Sequence, residues 1–91
     1  MATFKVWYGE RSFVHGDDYE VLEFEGKEIG AVSSGDNSVR YRFFETAGGT
    51  FVVHYVEHIS QYEARADVYE YSDINEAAKY FHHVLRSAKL I

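Results

Sequence analysis

Residues 39–59 read VRYRFFETAGGTFVVHYVEHI, two strand-like segments on either side of a glycine pair at 48–49. Both segments are rich in β-branched and aromatic residues, and the glycines supply the backbone freedom that a tight turn needs. The stretch therefore predicts a β-hairpin. A loop with an even number of residues places Tyr41 on the same face as His54, whereas an odd loop places it with Tyr55. The sequence leaves both registers open.

The same stretch contains the pattern H-x-x-E-H, at His54 and His58. On a helix, two histidines at this spacing lie one turn apart and can hold a zinc ion. On a strand they stand roughly 13 Å apart, at about 3.3 Å per residue, too far to share one ion. We interpret the pattern as a chance match and predict no metal site, cofactor or catalytic residue. His82 and His83 are interpreted as core or rim histidines, and a site that joins His82 to His54 stays open.

Outward from this hairpin, residues 19–33 read YEVLEFEGKEIGAVS and predict a second hairpin. Gly26-Lys27 fits a two-residue loop, because glycine adopts the positive φ of the first turn position. This register pairs Phe24 with Ile29 and leaves the glutamates on the other face. Residues 3–8, TFKVWY, predict a further strand at the N-terminus.

The C-terminal third predicts a strand followed by a helix. Residues 61–71 alternate as a strand does. Asp73 is a plausible N-cap with Glu76 at N3, and apolar residues recur at helical spacing as far as Ala88. We expect one α+β domain over residues 1–91, with an antiparallel sheet of about five or six strands in hairpins and one C-terminal helix packed on it. The other sheet face is partly apolar. The N-terminal region could fold over it, the sheet could curl into a barrel-like shape, or another molecule could cover it.

The composition predicts a soluble cytoplasmic protein. The 91 residues include no cysteine but 8 Tyr, 7 Phe and 1 Trp, so apolar packing rather than disulfides must stabilise the fold. No stretch resembles a signal peptide or reaches the ~20 apolar residues of a membrane span, and we expect no membrane partner. The formal charge of −6 opposes general binding to nucleic-acid phosphates.

Acidic residues concentrate in two stretches, 10–28 and 57–76. The first holds seven acids against two bases and the second six against one, a net charge of −5 each. We expect a non-enzymatic protein that binds or inhibits a partner with a basic surface. By analogy of class, this is the role of immunity and anti-defence proteins that act on nucleic-acid-handling enzymes. The expected binding residues are acidic side chains and aromatic anchors, namely Asp17, Asp18, Glu20, Glu23, Glu63, Asp67, Trp7, Tyr55, Tyr69 and Tyr71.

Two other functions remain as alternatives. One is a homodimer or larger oligomer, with a structural or small-ligand role, that covers the apolar residues Phe44, Phe51, Val53 and Tyr55. The other, ranked last, is a metal-assisted hydrolase built from His15, Asp17, Asp18 and Glu25.

The tract Arg40-Tyr41-Arg42 combines arginine with aromatic rings, as single-stranded nucleic-acid sites do. We prefer cross-strand ion pairs of its arginines with Glu45 or Glu57, because the chain is acidic and the rings and cations alternate.

Overall fold

The computed structural model describes residues 2–91, which form five strands and one helix. The elements are β1 (Ala2–Ser12), β2 (Asp18–Ser33), β3 (Val39–Thr46), β4 (Phe51–Ser60), β5 (Glu63–Tyr71) and α1 (Ile74–Ser87). Neighbouring strands pair in antiparallel fashion, and β1 also pairs with β5, so that the sheet closes into a barrel. The antiparallel α+β fold with a C-terminal helix is confirmed. Of the three possibilities for the second sheet face, the chain adopts the barrel-like one.

The predicted hairpin at Gly26-Lys27 is wrong, because β2 is a single strand of 16 residues. Phe24 lies opposite Phe4 of β1 and not opposite Ile29. Gly26 lacks the positive φ that the predicted turn required. A Cβ at this position would overlap the backbone oxygen of Glu45, so glycine is needed here for close backbone approach.

A bend in β2 allows five strands to close with antiparallel pairs only. Straight strands alternate in direction around a ring, so an odd number would leave one parallel pair. Residues 18–26 of β2 pair with β1 and residues 26–33 pair with β3. The two halves therefore act as separate members of the ring, with a register shift between Glu28 and Gly30 just after the bend.

This topology gathers six strand ends at one end of the barrel, which we call the open end. Both ends of β2 lie there, because one pairs with the end of β1 and the other with the start of β3. The end of β4 and the start of β5 pair beside them. Side chains from strands that are distant in sequence consequently meet at the open end.

The central hairpin is confirmed, with the register of an odd loop. Tyr41 lies opposite Tyr55, and Arg42 lies opposite His54. One face of the sheet is the barrel interior, with a core of Val6, Phe44 and Val52. The outer face packs under the helix, with a core of Phe43, Phe51, Val53, Ala77 and Leu85. The barrel interior and the part of the outer face that lies under the helix are thus buried within one chain.

Helix α1 begins as its sequence predicts. Asp73 is the N-cap, and its Oδ1 accepts a hydrogen bond from the backbone N–H of Glu76 at 2.9 Å. The apolar side of the helix covers the outer face of the barrel, where Leu85 is fully buried. Within residues 2–91, no helix has the length and hydropathy to cross a membrane.

Candidate functional site

A cavity of about 550 Å³ lies at the open end of the barrel. It is lined by the middle and end of β1, the starts of β3 and β5, the middle and end of β4, and the β1–β2 and β4–β5 connections. It is a wide, open cleft of a volume that could hold one small molecule. Its charged and aromatic lining residues are Lys5, Trp7, Arg11, Phe13, Asp17, Arg40, Arg42, His54, His58, Tyr62 and Glu63.

The charge of this cavity is opposite to that of the molecule. Four of the nine Lys and Arg residues line it, namely Lys5, Arg11, Arg40 and Arg42. Only two of the fifteen acids do so, Asp17 and Glu63. The lining therefore carries a formal charge of +2, on a chain whose formal charge is −6. Such segregation attracts a small anion to one place on an otherwise repelling surface.

Arg42 is held in place by a paired carboxylate. Its Nη2 donates to Glu28 Oε1 at 2.7 Å and its Nε donates to Oε2 at 3.2 Å, a two-pronged geometry. The hydrogen bond from Arg42 lowers the pKa of Glu28. The guanidinium also lies 5.0 Å from the centre of the Phe44 ring. Arg42 is thus fixed at the wall, with part of its charge already matched.

Arg11 and Arg40 have no ion-pair partner within the described part of the chain. Among residues 2–91, neither forms an ion pair with a carboxylate. The Arg11 guanidinium lies 5.4 Å from the centre of the Trp7 ring and 5.0 Å from that of Tyr19, in cation–π contact with both. Arg40 also lines a smaller adjoining cavity of about 340 Å³. Two unmatched guanidinium groups at one mouth favour an anionic occupant.

His54 lines the same cavity and is only 4% exposed. Its Nε2 lies 2.8 Å from the carbonyl oxygen of Trp7, so Nε2–H donates and Nδ1 is left as an acceptor. Nδ1 is buried and has no hydrogen-bond partner within the described part of the chain. Burial lowers the pKa of His54; the Trp7 bond opposes this and the nearby Arg42 adds to it. The ring is therefore neutral near pH 7, with a buried polar atom unmatched at a cost of about 1–3 kcal/mol.

The predicted acidic residues divide between the cavity and the outer surface. Asp17 and Glu63 line the cavity. Three others, Asp18, Glu20 and Glu23, are exposed along β2. Asp67 is half-buried on β5.

The end of β1 lies between the start of β2 and the start of β5. Asp18 of β2 lies opposite Glu10 of β1, which in turn lies opposite Arg65 of β5. Glu10 and Arg65 form an ion pair at 3.5 Å, so the contact between the two stretches joins an acid to a base.

The predicted aromatic anchors are already engaged within the chain. Trp7 is half-buried, in edge contact with Tyr19 at 5.9 Å between ring centres. The hydroxyl of Tyr55 donates to Glu57 at 2.8 Å, and this bond raises the pKa of Tyr55 to about 12. Tyr69 packs on Phe81 and Tyr71 stacks on Tyr80, so both contact the helix.

The residues that suggested a homodimer are covered by the chain itself. Phe51 and Val53 lie under the helix, and Phe44 lies inside the barrel. Tyr55 is half-buried beside Tyr41. The dimer stays a prediction, but the apolar face that motivated it is no longer uncovered.

The histidines and acids form no chelating group. The H-x-x-E-H pattern lies on strand β4, as predicted. His82 and His83 are both exposed on the helix, outside the barrel, whereas His54 lines the interior cavity, so the sheet separates His82 from His54. No group of three His, Asp or Glu side chains in residues 2–91 could hold a metal ion, so the structure assembles no such group from the proposed hydrolase residues, His15, Asp17, Asp18 and Glu25.

The cationic cavity itself was not predicted from the sequence. The expected pairing of Arg42 with Glu45 or Glu57 is wrong, because its partner is Glu28 of β2. A signal was present: Arg40, Arg42, His54 and His58 share one face in the odd-loop register. That register alone, however, does not reveal that β1 closes over this face.

Comparison with known proteins found no matching family model, no similar curated protein and no similar solved structure. The functional argument therefore rests on the geometry of the barrel and its cavity.

Proposed function

We propose that this protein is a non-enzymatic binding protein that holds a small anionic ligand in the cavity at the open end of its barrel. The observation that carries the proposal is the charge segregation: four of nine basic residues line one cavity of an acidic chain. A cavity of this kind concentrates anions while the surrounding surface repels polyanions.

The individual side chains fit an oxyanion with several acceptor oxygens. Arg11 and Arg40 have guanidinium groups free of carboxylate partners among the described residues, and such groups bind phosphate or carboxylate through paired hydrogen bonds. Nδ1 of His54 is buried, so it is not exposed to a ligand in the cavity. The preferred ligand thus carries negative charge spread over several acceptor oxygens.

Isothermal titration calorimetry with inorganic phosphate tests this proposal. The double variant Arg11→Gln/Arg40→Gln should weaken binding by at least about tenfold, since each charged hydrogen bond contributes roughly 1.5–3 kcal/mol. The matched control is Lys79→Gln/Arg86→Gln, which removes two exposed charges on the helix and should leave affinity nearly unchanged. Equal losses in both variants, or no binding by the wild type, would contradict a site in the cavity.

A second function, binding of a protein with a basic surface, is favoured by the acidic side chains exposed along β2, namely Asp18, Glu20 and Glu23. In this proposal the acidic outer surface steers the partner, and the protein contacts neither nucleic acid nor membrane directly. We expect it to act in the cytoplasm, in keeping with its cysteine-free sequence.

The test for this second function is capture of partners at low and high salt, with and without Asp18→Lys/Glu23→Lys/Glu25→Lys. These three residues are exposed and do not line the cavity, so the variant separates the acidic surface from the ligand site. A specific partner should be retained by the wild type at low salt and lost from the variant. A partner that binds both forms equally at all salt concentrations would refute the electrostatic role.

A further inference from the structure

Resting on the proposed function, we propose that the ligand is an anion that carries an aromatic ring, of the class of the nucleoside monophosphates. Its acidic group would lie among the arginines of the cavity and its ring against Phe13 and Tyr62 at the mouth. The inference rests on the exposed aromatic residues that line the cavity beside the basic ones.

Phe13 and Tyr62 form an exposed aromatic pair at the cavity mouth. Their exposed fractions are 86% and 53%, and both residues line the cavity. The ring centres lie 6.0 Å apart with the planes tilted by 38°. The backbone N–H of Phe13 donates to the carbonyl of Tyr62 at 2.8 Å, which connects the β1–β2 loop to the turn between β4 and β5. The pair is therefore positioned by the backbone, although the chain itself leaves its rings largely uncovered.

Unpaired cations and aromatic rings are both exposed at this cavity. Arg11 and Arg40 are exposed, as are Phe13 and Tyr62, whereas Arg42 is half-buried. A ligand with an acidic group at one end and a flat ring at the other can contact both kinds of group. Aromatic rings on a protein bind nucleobases by stacking, and this stacking tolerates any base because every base has a π face.

Arg11 adds a planar cation to the same mouth. It already lies over the rings of Trp7 and Tyr19, which keeps its guanidinium flat against an aromatic surface. An arginine so placed can stack on a ligand ring as well as pair with a phosphate.

The size and charge of the site point to a mononucleotide rather than to a nucleic-acid strand. A volume of about 550 Å³ suits one small ligand. The basic lining is confined to this cavity, and the formal charge of the whole chain is −6. A strand would have to pass over the acidic outer surface, whereas a single phosphate would not.

The experiment compares AMP, phenyl phosphate, butyl phosphate and inorganic phosphate by calorimetry on the full chain. AMP should bind at least about tenfold more tightly than inorganic phosphate, with phenyl phosphate between them, because each stacked ring strengthens binding by roughly this factor or more. Phe13→Ala should remove most of the difference in affinity between AMP and inorganic phosphate. The affinity of this variant for inorganic phosphate should stay within about twofold of the wild-type value. Val14→Ala is the matched control, an exposed apolar neighbour that does not line the cavity, and should change neither affinity.

The outcomes separate this inference from the proposed function. Two outcomes would refute the preference for an aromatic ligand but leave the anion site supported. One is that inorganic phosphate binds and AMP binds no more tightly. The other is that butyl phosphate binds as tightly as AMP. If no anion binds, both are refuted. Ring proton shifts of Phe13 and Tyr62 on addition of AMP, seen by NMR, would support the stacking directly. Unchanged shifts at saturation would overturn it.

Discussion

At the scale of single residues, Gly26 shows why the barrel can close. A methyl group there would overlap the backbone oxygen of Glu45, which cannot move without disturbing the β2–β3 pairing. We predict that Gly26→Ala lowers the free energy of unfolding by about 1–3 kcal/mol or more, the usual effect of overpacking. The control Gly35→Ala has open space around its Cβ and should be nearly neutral. Urea unfolding of both variants measures the difference. Similar free energies of unfolding for the two would show that the barrel does not require glycine at position 26.

His54 makes the stability depend on pH. Its folded pKa lies below the ordinary value of 6.5, so in that range the unfolded chain binds more protons than the folded one. The contribution of His54 is fully present above pH 6.5 and is lost as the pH falls through the folded pKa. We predict that the free energy of unfolding decreases as the pH falls below the ordinary pKa of 6.5.

The variant His54→Gln identifies the origin of this slope. Glutamine does not titrate but can still donate to the Trp7 carbonyl, so the variant should lose this pH dependence. His83→Gln, which removes an exposed histidine, should retain it. The carboxylates of Glu28 and Asp36 have lowered pKa values, so the stability they contribute is lost only at more acidic pH. A slope that persists in His54→Gln would contradict the assignment.

At the scale of secondary-structure elements, the helix acts as the cover of the outer barrel face. Leu85 is fully buried in the core that the helix forms with β3 and β4. We predict that Leu85→Ala lowers the free energy of unfolding by about 2–5 kcal/mol, from lost burial and the cavity that remains. Lys79→Ala, an exposed change on the same helix, should stay within about 0.5 kcal/mol. Thermal or urea unfolding checks both, and a small loss for Leu85→Ala would mean that the helix packs loosely.

The elements also show what a sequence can reveal. The helix was predictable, because its N-cap Asp73 and its apolar spacing are local signals. The central hairpin was predictable as well, because its strands adjoin the Gly48-Gly49 turn. The continuous β2 was not, because Gly26 serves equally for a turn or for close approach, and only the distant strands β1 and β3 decide between them.

The candidate site was harder to predict than the fold for the same reason. Arg40 and His54 share one face of the central hairpin, but Arg11 is distant from them in sequence and joins them only because β1 pairs with β5 and closes the ring. Acidic stretches can be counted along a chain, whereas a cationic cavity inside an acidic chain appears only when the face of every strand is known. Counts of charge along the sequence thus indicated an acidic molecule but did not reveal its basic cavity.

At the scale of the whole molecule, the acidic exterior and the basic cavity together should discriminate by ligand length. A mononucleotide reaches the arginines while the rest of the surface stays in solvent, but a strand would place further phosphates near the acidic residues of β2. We predict that a 20-nucleotide single-stranded DNA binds no more tightly per molecule than AMP, despite its many phosphates. Fluorescence anisotropy of the labelled strand, with AMP as competitor, makes the comparison.

Asp18→Lys/Glu23→Lys/Glu25→Lys serves as the reverse control. Removal of these acidic side chains should strengthen binding of the strand and leave the affinity for AMP nearly unchanged. Tight, salt-sensitive binding of the strand by the wild type would show instead that the open end is part of a nucleic-acid groove.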